Sequence, residues 1–337
     1  MSNAKVLAEQ LGISTATVSR ALNGKEGMSS ALRQRILTAA EELNVVLHSG
    51  ARALSTTETH QIGFATYHLP EPVVTDPFYA EVMGGAEAEL RRQNYAMSLN
   101  VLEDEQINDP KRWRTLREHR VDGVILCGPL VPTPFIVKLH VQGVPTVLVD
   151  NAIDAAPINA TVTDDQGGAR SAAEHLLSLG HERVVILSGP QEWYSIRERV
   201  QGFQNTYSSR GLPLPLALRG EATTYDTGAD LAVRALEHDP TALFCVNDAM
   251  AMGAIGTLSA RGVRVPEDIS VVGFDDVAMS SRWLIPISTV RVERRHLGAS
   301  AARQLLLRLQ QPDAPQQRTL IATTFIQRVS SAPPRSS

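Results

Sequence analysis

Along residues 1–46 the apolar positions recur at helical spacing and nowhere alternate as they would in a strand. VLAEQL, TATVSRALN and the run from Ser30 to Leu43, with Leu32, Ile36, Leu37, Ala40 and Leu43 on one stripe, predict three helices. The polar stretch STTETH (55–60) then separates this head from a region of another kind. From Gln61 onward, short apolar runs alternate with helical patterns: QIGFATY, AMSLNVL, DGVILCG, PTVLVD, RVVILSG, ALFCVND and ISVVGFD. Such alternation predicts an α/β fold with parallel sheets made of βαβ units, and the number of runs suits two sheets better than one. Open sheets of this kind bind ligands beyond the carboxyl ends of their strands. Three of the runs end in polar groups, at Asp150, at Asn247-Asp248 and at Asp275-Asp276, which together predict a polar cleft.

Within the head, Ala8, Gly12 and Val18 stand at the spacing of a helix-turn-helix, which needs a small contact residue, a turn residue tolerating positive φ and an apolar anchor. Ser14 is placed to cap the second helix. With Val18 and Leu22 turned inward, Thr15, Ala16, Thr17, Ser19 and Arg20 form the outward face. That face is short and polar and has one long cation, as a helix in a major groove requires. The competing reading is a solvated helix of a three-helix bundle.

Composition narrows the classes. A chain of 337 residues, 43% hydrophobic and 20% charged, reads as an ordinary globular protein of two or three domains. No apolar run approaches the roughly 18 residues of a membrane span, and the start lacks a signal-peptide layout, so a cytoplasmic protein with no membrane partner is expected. The net charge of −4 divides into +1 over residues 1–58 and −5 over the rest, the right sign for a nucleic-acid-binding head. Cys127 and Cys245 sit in apolar runs and read as buried core thiols. The metalloprotease, hydrolase, dinucleotide and P-loop signatures are absent, and His175 and His181 have no partner cysteines. No catalytic residue, metal or cofactor is therefore expected. Three classes stand open: a ligand-responsive regulator, a binding module with a vestigial head, and an enzyme on the same scaffold. The intact head weighs against the second and the missing motifs against the third.

LAEQLGISTATVSRALNG (7–24), followed by the S-x-x-x-R-x-x-I-x-x-A-A-x-x-L-N run of residues 29–44, resembles the LacI/GalR repressor family. RALSTTETHQIGF, DPFYAEVMGGAEAEL, HLLSLGHERVVILSGP, SIRERVQGF, ALFCVNDAMAMGAIGTL, ISVVGFDD and QRVS extend the resemblance over nearly the whole chain. It implies a helix-turn-helix head (1–46), a hinge helix and linker (47–59), and a periplasmic-binding-protein-like core. The core's N-subdomain would span 60–161 plus 292–320, its C-subdomain 162–291 plus 321–331, with a disordered tail at 332–337. It further implies a homodimer on a palindromic double-stranded operator, with affinity for DNA controlled allosterically by a small-molecule effector. The tail APPRSS lacks the leucine heptads that would tie dimers into tetramers.

Position by position, the resemblance implies that Thr15, Ala16 and Arg20 read bases. Asn3, Lys5, Ser14, Thr17, Ser19, Asn23 and Arg52 would lie near the DNA backbone, and Leu54 would wedge into the minor groove. The family's usual Pro-Asn at the hinge start is Leu47-His48 here, which leaves that start open. For the effector, Arg199 matches the anchoring arginine, with Ser195 one turn before it. Asp150, Asn247 and Asp275 match polar ligand positions, and Asp76, Phe78 and Tyr79 fall at the mouth. Ala222 stands where some members carry an aromatic wall, with Trp193 and Trp283 as candidates to fill it. Arg294 also replaces an aromatic, and as a second cleft arginine it would suit an acidic or phosphorylated ligand. The expected effector is a carbohydrate or sugar derivative, with a nucleoside or organic acid as the alternative.

Overall fold

The computed structural model describes residues 3–22, 28–42, 59–69 and 71–335. Asn23, Arg52, Leu54 and the hinge start at Leu47-His48 lie outside the described residues, and of Asn3 and Lys5 only the helical backbone is described. Three helices make the head: α1 (Asn3–Leu11), α2 (Thr15–Leu22) and α3 (Ser30–Glu42). Leu7, Ala8, Val18, Ala21, Ile36, Ala39 and Ala40 form its core, each nearly inaccessible to solvent. Gly12 takes φ of 65°, the left-handed conformation that ends α1, and Ile13 donates its N–H back to the Ala8 carbonyl.

The remaining chain forms two lobes. The N-lobe has a six-stranded sheet in the order β11-β5-β4-β3-β1-β2, with every described pairing parallel. Its strands are β1 (Gln61–Tyr67), β2 (Ala96–Leu102), β3 (Gly123–Cys127), β4 (Thr146–Val149), β5 (Asn159–Thr163) and β11 (Arg318–Ile321). β3 and β4 are buried along their whole length, as strands covered on both faces must be, whereas the edge strand β2 is half exposed. The helices here are α4 (Pro77–Arg92), α5 (Asp104–Asn108), α6 (Arg114–Arg117), α7 (Thr133–Val141) and, returning late in the chain, α12 (Arg294–Gln310).

The C-lobe carries a four-stranded parallel sheet, β7-β6-β8-β9, from β6 (Val184–Ser188), β7 (Leu216–Arg219), β8 (Ala242–Cys245) and β9 (Ser270–Val272). Around it run α8 (Asp165–Ser178), α9 (Tyr194–Ser209), α10 (Tyr225–Ala235) and α11 (Asp248–Ala260). β10 (Thr289–Val292) and β12 (Thr323–Ile326) pair antiparallel and pack on α8. Cys127 and Cys245 are buried in separate sheets as free thiols.

Two expected boundaries move. The N-lobe sheet was expected to end at 161 and 320, but β5 continues to Thr163 and β11 to Ile321, because Ile321 pairs with Thr163 in register. The tail expected to be disordered from 332 is instead tied down as far as Arg335. His181 Nε2 bonds the Ala332 carbonyl at 2.8 Å, the Ala332 N–H donates to Ser270 Oγ, and Arg335 meets Asp268 at 2.7 Å.

Candidate DNA-reading helix and ligand cleft

On α2 the cap and the core contact fix which face points outward. Ser14 Oγ accepts from the Thr17 N–H at 3.0 Å and shares a hydrogen bond with the Thr17 hydroxyl, satisfying one of the free donors at the helix start. Val18 is fully buried, so Ser14, Thr15, Ala16, Ser19 and Arg20 are left exposed and Thr17 half-buried. The outward face predicted from spacing is therefore the exposed one.

Between the lobes lies a cavity of about 120 Å³. The carboxyl ends of β1, β3 and β4 supply one wall and those of β6, β8 and β9 the other. Asp76, Phe78, Tyr79, Asp150, Trp193, Ser195, Arg199, Asn247 and Asp275 all line it, joined by Leu69, Glu71, Thr223, Thr224 and Met252, which the sequence reading did not single out. Trp283 does not. Its indole sits edge-on to Tyr225, with ring centroids 6.1 Å apart, because the side chain is taken up, half-buried, by packing against the hydrophobic core. Arg294 is also turned away from the cavity. Buried at the start of α12, it donates to the Asp275 and Asp276 carbonyls and to Glu81 Oε1, so the expected second cleft arginine is absent.

The centre of the cleft is a buried charge cluster. Arg199, 4% exposed, donates through Nε to Asp165 Oδ1 at 2.8 Å and through Nη1 to the Val246 carbonyl at 2.7 Å. Nη1 also lies 3.1 Å from Asp275 Oδ1, and the guanidinium stacks 3.9 Å over the Phe274 ring. Burial drives Asp165 up to about 7 and Asp275 to about 6, with Arg199 opposing both shifts and Asp150 reinforcing them. The neighbouring carboxylates keep Arg199 charged. Asp165 was missed because β5, NATVT, interleaves polar residues and hides as a strand. Once β5 is placed, Asp165 falls just past its carboxyl end, as Asp150 and Asp275 fall past theirs.

Asp150 accepts from the Tyr79 hydroxyl at 2.7 Å and is raised by burial, with Arg199 pulling the other way. Asp76 caps α4, accepting from the N–H groups of Phe78 and Tyr79, and is likewise raised by burial. Asn247 caps α11 through Oδ1 and donates Nδ2 to the Thr223 carbonyl, so both ends of its amide already have partners. Asp150 and Asp275 hold φ of 55° and 104°, left-handed values that cost side-chain-bearing residues about 1–3 kcal/mol and concentrate at ligand sites. The cavity is thus rich in acceptors, with one guanidinium as its cation. Among the described residues no cluster has the donor set of a metal site, and no helix is long and apolar enough to cross a membrane.

Residues 59–329 match the family model described as periplasmic binding proteins and sugar binding domain of the LacI family, and residues 5–46 match that of bacterial regulatory proteins, lacI family. The chain belongs to the LacI family. The HTH-type transcriptional repressor PurR of Aliivibrio fischeri (strain MJ11) is 31% identical over 319 residues, 93% of each chain. The Ribose operon repressor of Escherichia coli (strain K12) is 30% identical, covering 98% of this chain and 100% of its own. A solved lac repressor dimer bound to operator and the anti-inducer ONPF superposes with a TM-score of 0.82 at 28% identity, over 97% of this chain and 98% of that one. LacI-family membership accounts for both parts of the molecule, the three-helix head and the two-lobed core.

Proposed function

We propose that the chain is a DNA-binding transcriptional repressor that acts as a homodimer on a palindromic operator and is controlled by a small polyhydroxylated ligand held between its lobes. Thr15, Ala16 and Arg20 read base edges, with Ser14, Thr17 and Ser19 beside the phosphates. The observation that carries the ligand half is the convergence of Asp76, Asp150, Arg199 and Asp275 from both lobes on one buried cavity. Its carboxylates accept from ligand hydroxyls, and the lone guanidinium supplies charge-assisted donors. With Arg294 committed to backbone carbonyls, the acceptor-rich wall favours a sugar or sugar derivative over an acidic or phosphorylated compound. A ligand touching both lobes favours their closed arrangement and so changes operator affinity by a coupling of typically about 1–3 kcal/mol. This role requires no catalytic step and places the chain beside DNA in the cytoplasm.

The test pairs two measurements on the full-length protein. Thermal-shift screening against neutral sugars, nucleosides, sugar phosphates and organic acids should single out neutral sugars, because a ligand bound to the native state raises the midpoint by mass action. The same sugar should change the mobility shift of a duplex selected by the protein from a random pool. A nucleoside hit would reassign the ligand. The absence of any preference among duplexes would end the regulator reading.

A further inference from the structure

The described part of the core begins at Thr59, immediately after the segment that joins it to the head, and there one carboxylate gathers the chain. Asp122 Oδ1 accepts from the Thr59 N–H at 2.7 Å and from the Thr59 hydroxyl at 2.8 Å, and its Oδ2 accepts from the His60 N–H at 2.8 Å. The Asp122 N–H in turn donates to the Gln61 carbonyl at 2.8 Å, so side chain and backbone grip three consecutive residues. Three donors on one carboxylate form a charge-assisted set, stronger than neutral hydrogen bonds.

The gripped segment is strained and the gripping residue is rigidly mounted. His60 holds φ of 52°, a left-handed value for a residue with a side chain, and turns the chain into β1. Its carbonyl accepts from Ala96, so both sides of the turn are fixed to the sheet. Asp122 directly precedes β3, an interior strand of the six-stranded sheet. The first residue of that strand, Gly123, is packed so closely that an added Cβ would meet Leu305 Cδ1 at 2.9 Å and the Pro145 carbonyl at 3.0 Å. Asp122 therefore cannot shift without the lobe that carries it.

We propose that Asp122 is the positioning residue through which movement of the N-lobe reaches the connector and the DNA-reading head. The inference rests on the DNA-binding reading above. A connector held at its base by a rigid carboxylate turns with the lobe. Without that carboxylate Thr59 and His60 lose their fixed attachment to the lobe, and the head loses the placement that specific recognition needs. Non-specific binding, which depends on the head's charges and not on its placement, is untouched.

The test uses full-length wild type, Asp122→Asn, Asp122→Ala, Thr59→Val and Thr59→Ser on a duplex selected by the wild type and on a scrambled one. Asp122→Asn and Asp122→Ala should each lower the selected-to-scrambled preference by about tenfold, the size of an ordinary coupling, by loss of affinity for the selected duplex alone. Thr59→Val should show a smaller loss, and Thr59→Ser, which keeps the hydroxyl, should behave as wild type. Both Asp122 variants should melt somewhat below wild type, since they give up charge-assisted hydrogen bonds, so binding is measured at a temperature where all four variants are fully folded, and Thr59→Ser should melt as wild type. A preference that survives both Asp122 changes overturns the assignment, as does an equal loss of affinity for the selected and the scrambled duplex in folded protein. If the wild type itself shows no preference, the DNA-binding reading falls and the anchor with it.

Discussion

Replacing Arg199 by Met probes the electrostatic centre of the cleft. The thioether keeps much of the side-chain volume and its contact with Phe274, but Asp165, 2% exposed, and Asp275, 6% exposed, lose their counter-charge. Both carboxyls already stand at about 7 and about 6 with the guanidinium beside them. Without it, a further rise of about one to two pKa units on each, at about 1.4 kcal/mol per unit, gives a loss of about 3–6 kcal/mol once the pH is high enough to ionise both. That matches the usual cost of breaking a buried pair by removing one partner, about 3–5 kcal/mol. The penalty is pH-dependent, since at about pH 6 the variant's two carboxyls fold as neutral acids, and what is forfeited is the guanidinium's hydrogen bonds to Asp165 and the Val246 carbonyl rather than its compensation of two buried charges. Thermal unfolding of wild type and variant at about pH 6 and about pH 8 reads the difference, which must be larger at the higher pH. An equal penalty at both values, or a larger one at the lower, would show that the cluster does not hold the charges assigned to it.

Three further outcomes are expected. Arg20→Ala should weaken operator binding by about 1–3 kcal/mol at one base pair of each half-site while sparing scrambled DNA, as read by competition with single-base operator variants. Gly298→Ala should cost about 1–3 kcal/mol in the midpoint of unfolding, because a Cβ there falls well inside contact distance of the Val82 carbonyl where α12 crosses α4; an unchanged midpoint would contradict that crossing. Asp248, fully buried and raised by burial to about 8, holds its proton in the native chain over a range where the unfolded chain has released it. Stability therefore falls as pH rises from about 4 to about 8, with Asp165 contributing in the same direction up to about 7, and Asp248→Asn should flatten that limb in a pH series of melting curves. Below about 6.5 the half-buried His175 and the buried His181, both lowered by desolvation, act the other way, since the unfolded chain takes up protons they refuse.

What could be read from the chain alone was whatever depends on neighbours in sequence. Helical spacing with Gly12 at the turn and Ser14 at the cap placed α1 to α3, and the outward face of α2, before any contact was known. The apolar runs located β1 to β4, β6, β8 and β9, since a buried parallel strand is almost continuously apolar. Strands that were short and polar, such as β5, or that pair only through the late return of the chain, such as β11, escaped. The ends of the apolar runs pointed to Asp150, Asn247 and Asp275, and the resemblance to relatives nominated the remaining cleft residues one by one.

Tertiary structure decided where the long side chains went. Nothing local distinguishes Trp193, which lines the cavity, from Trp283, which packs against Tyr225, or makes Arg294 choose the carbonyls of Asp275 and Asp276 over a ligand. Those choices depend on which residues distant in sequence the sheet order brings within reach. They also set the cleft's excess of acceptors, and with it the kind of molecule it favours. The sequence names a polar group at a strand's end, but only the packed lobes determine whether that group meets a partner, a neighbour of like charge or an open cavity, and so how strongly it holds its proton.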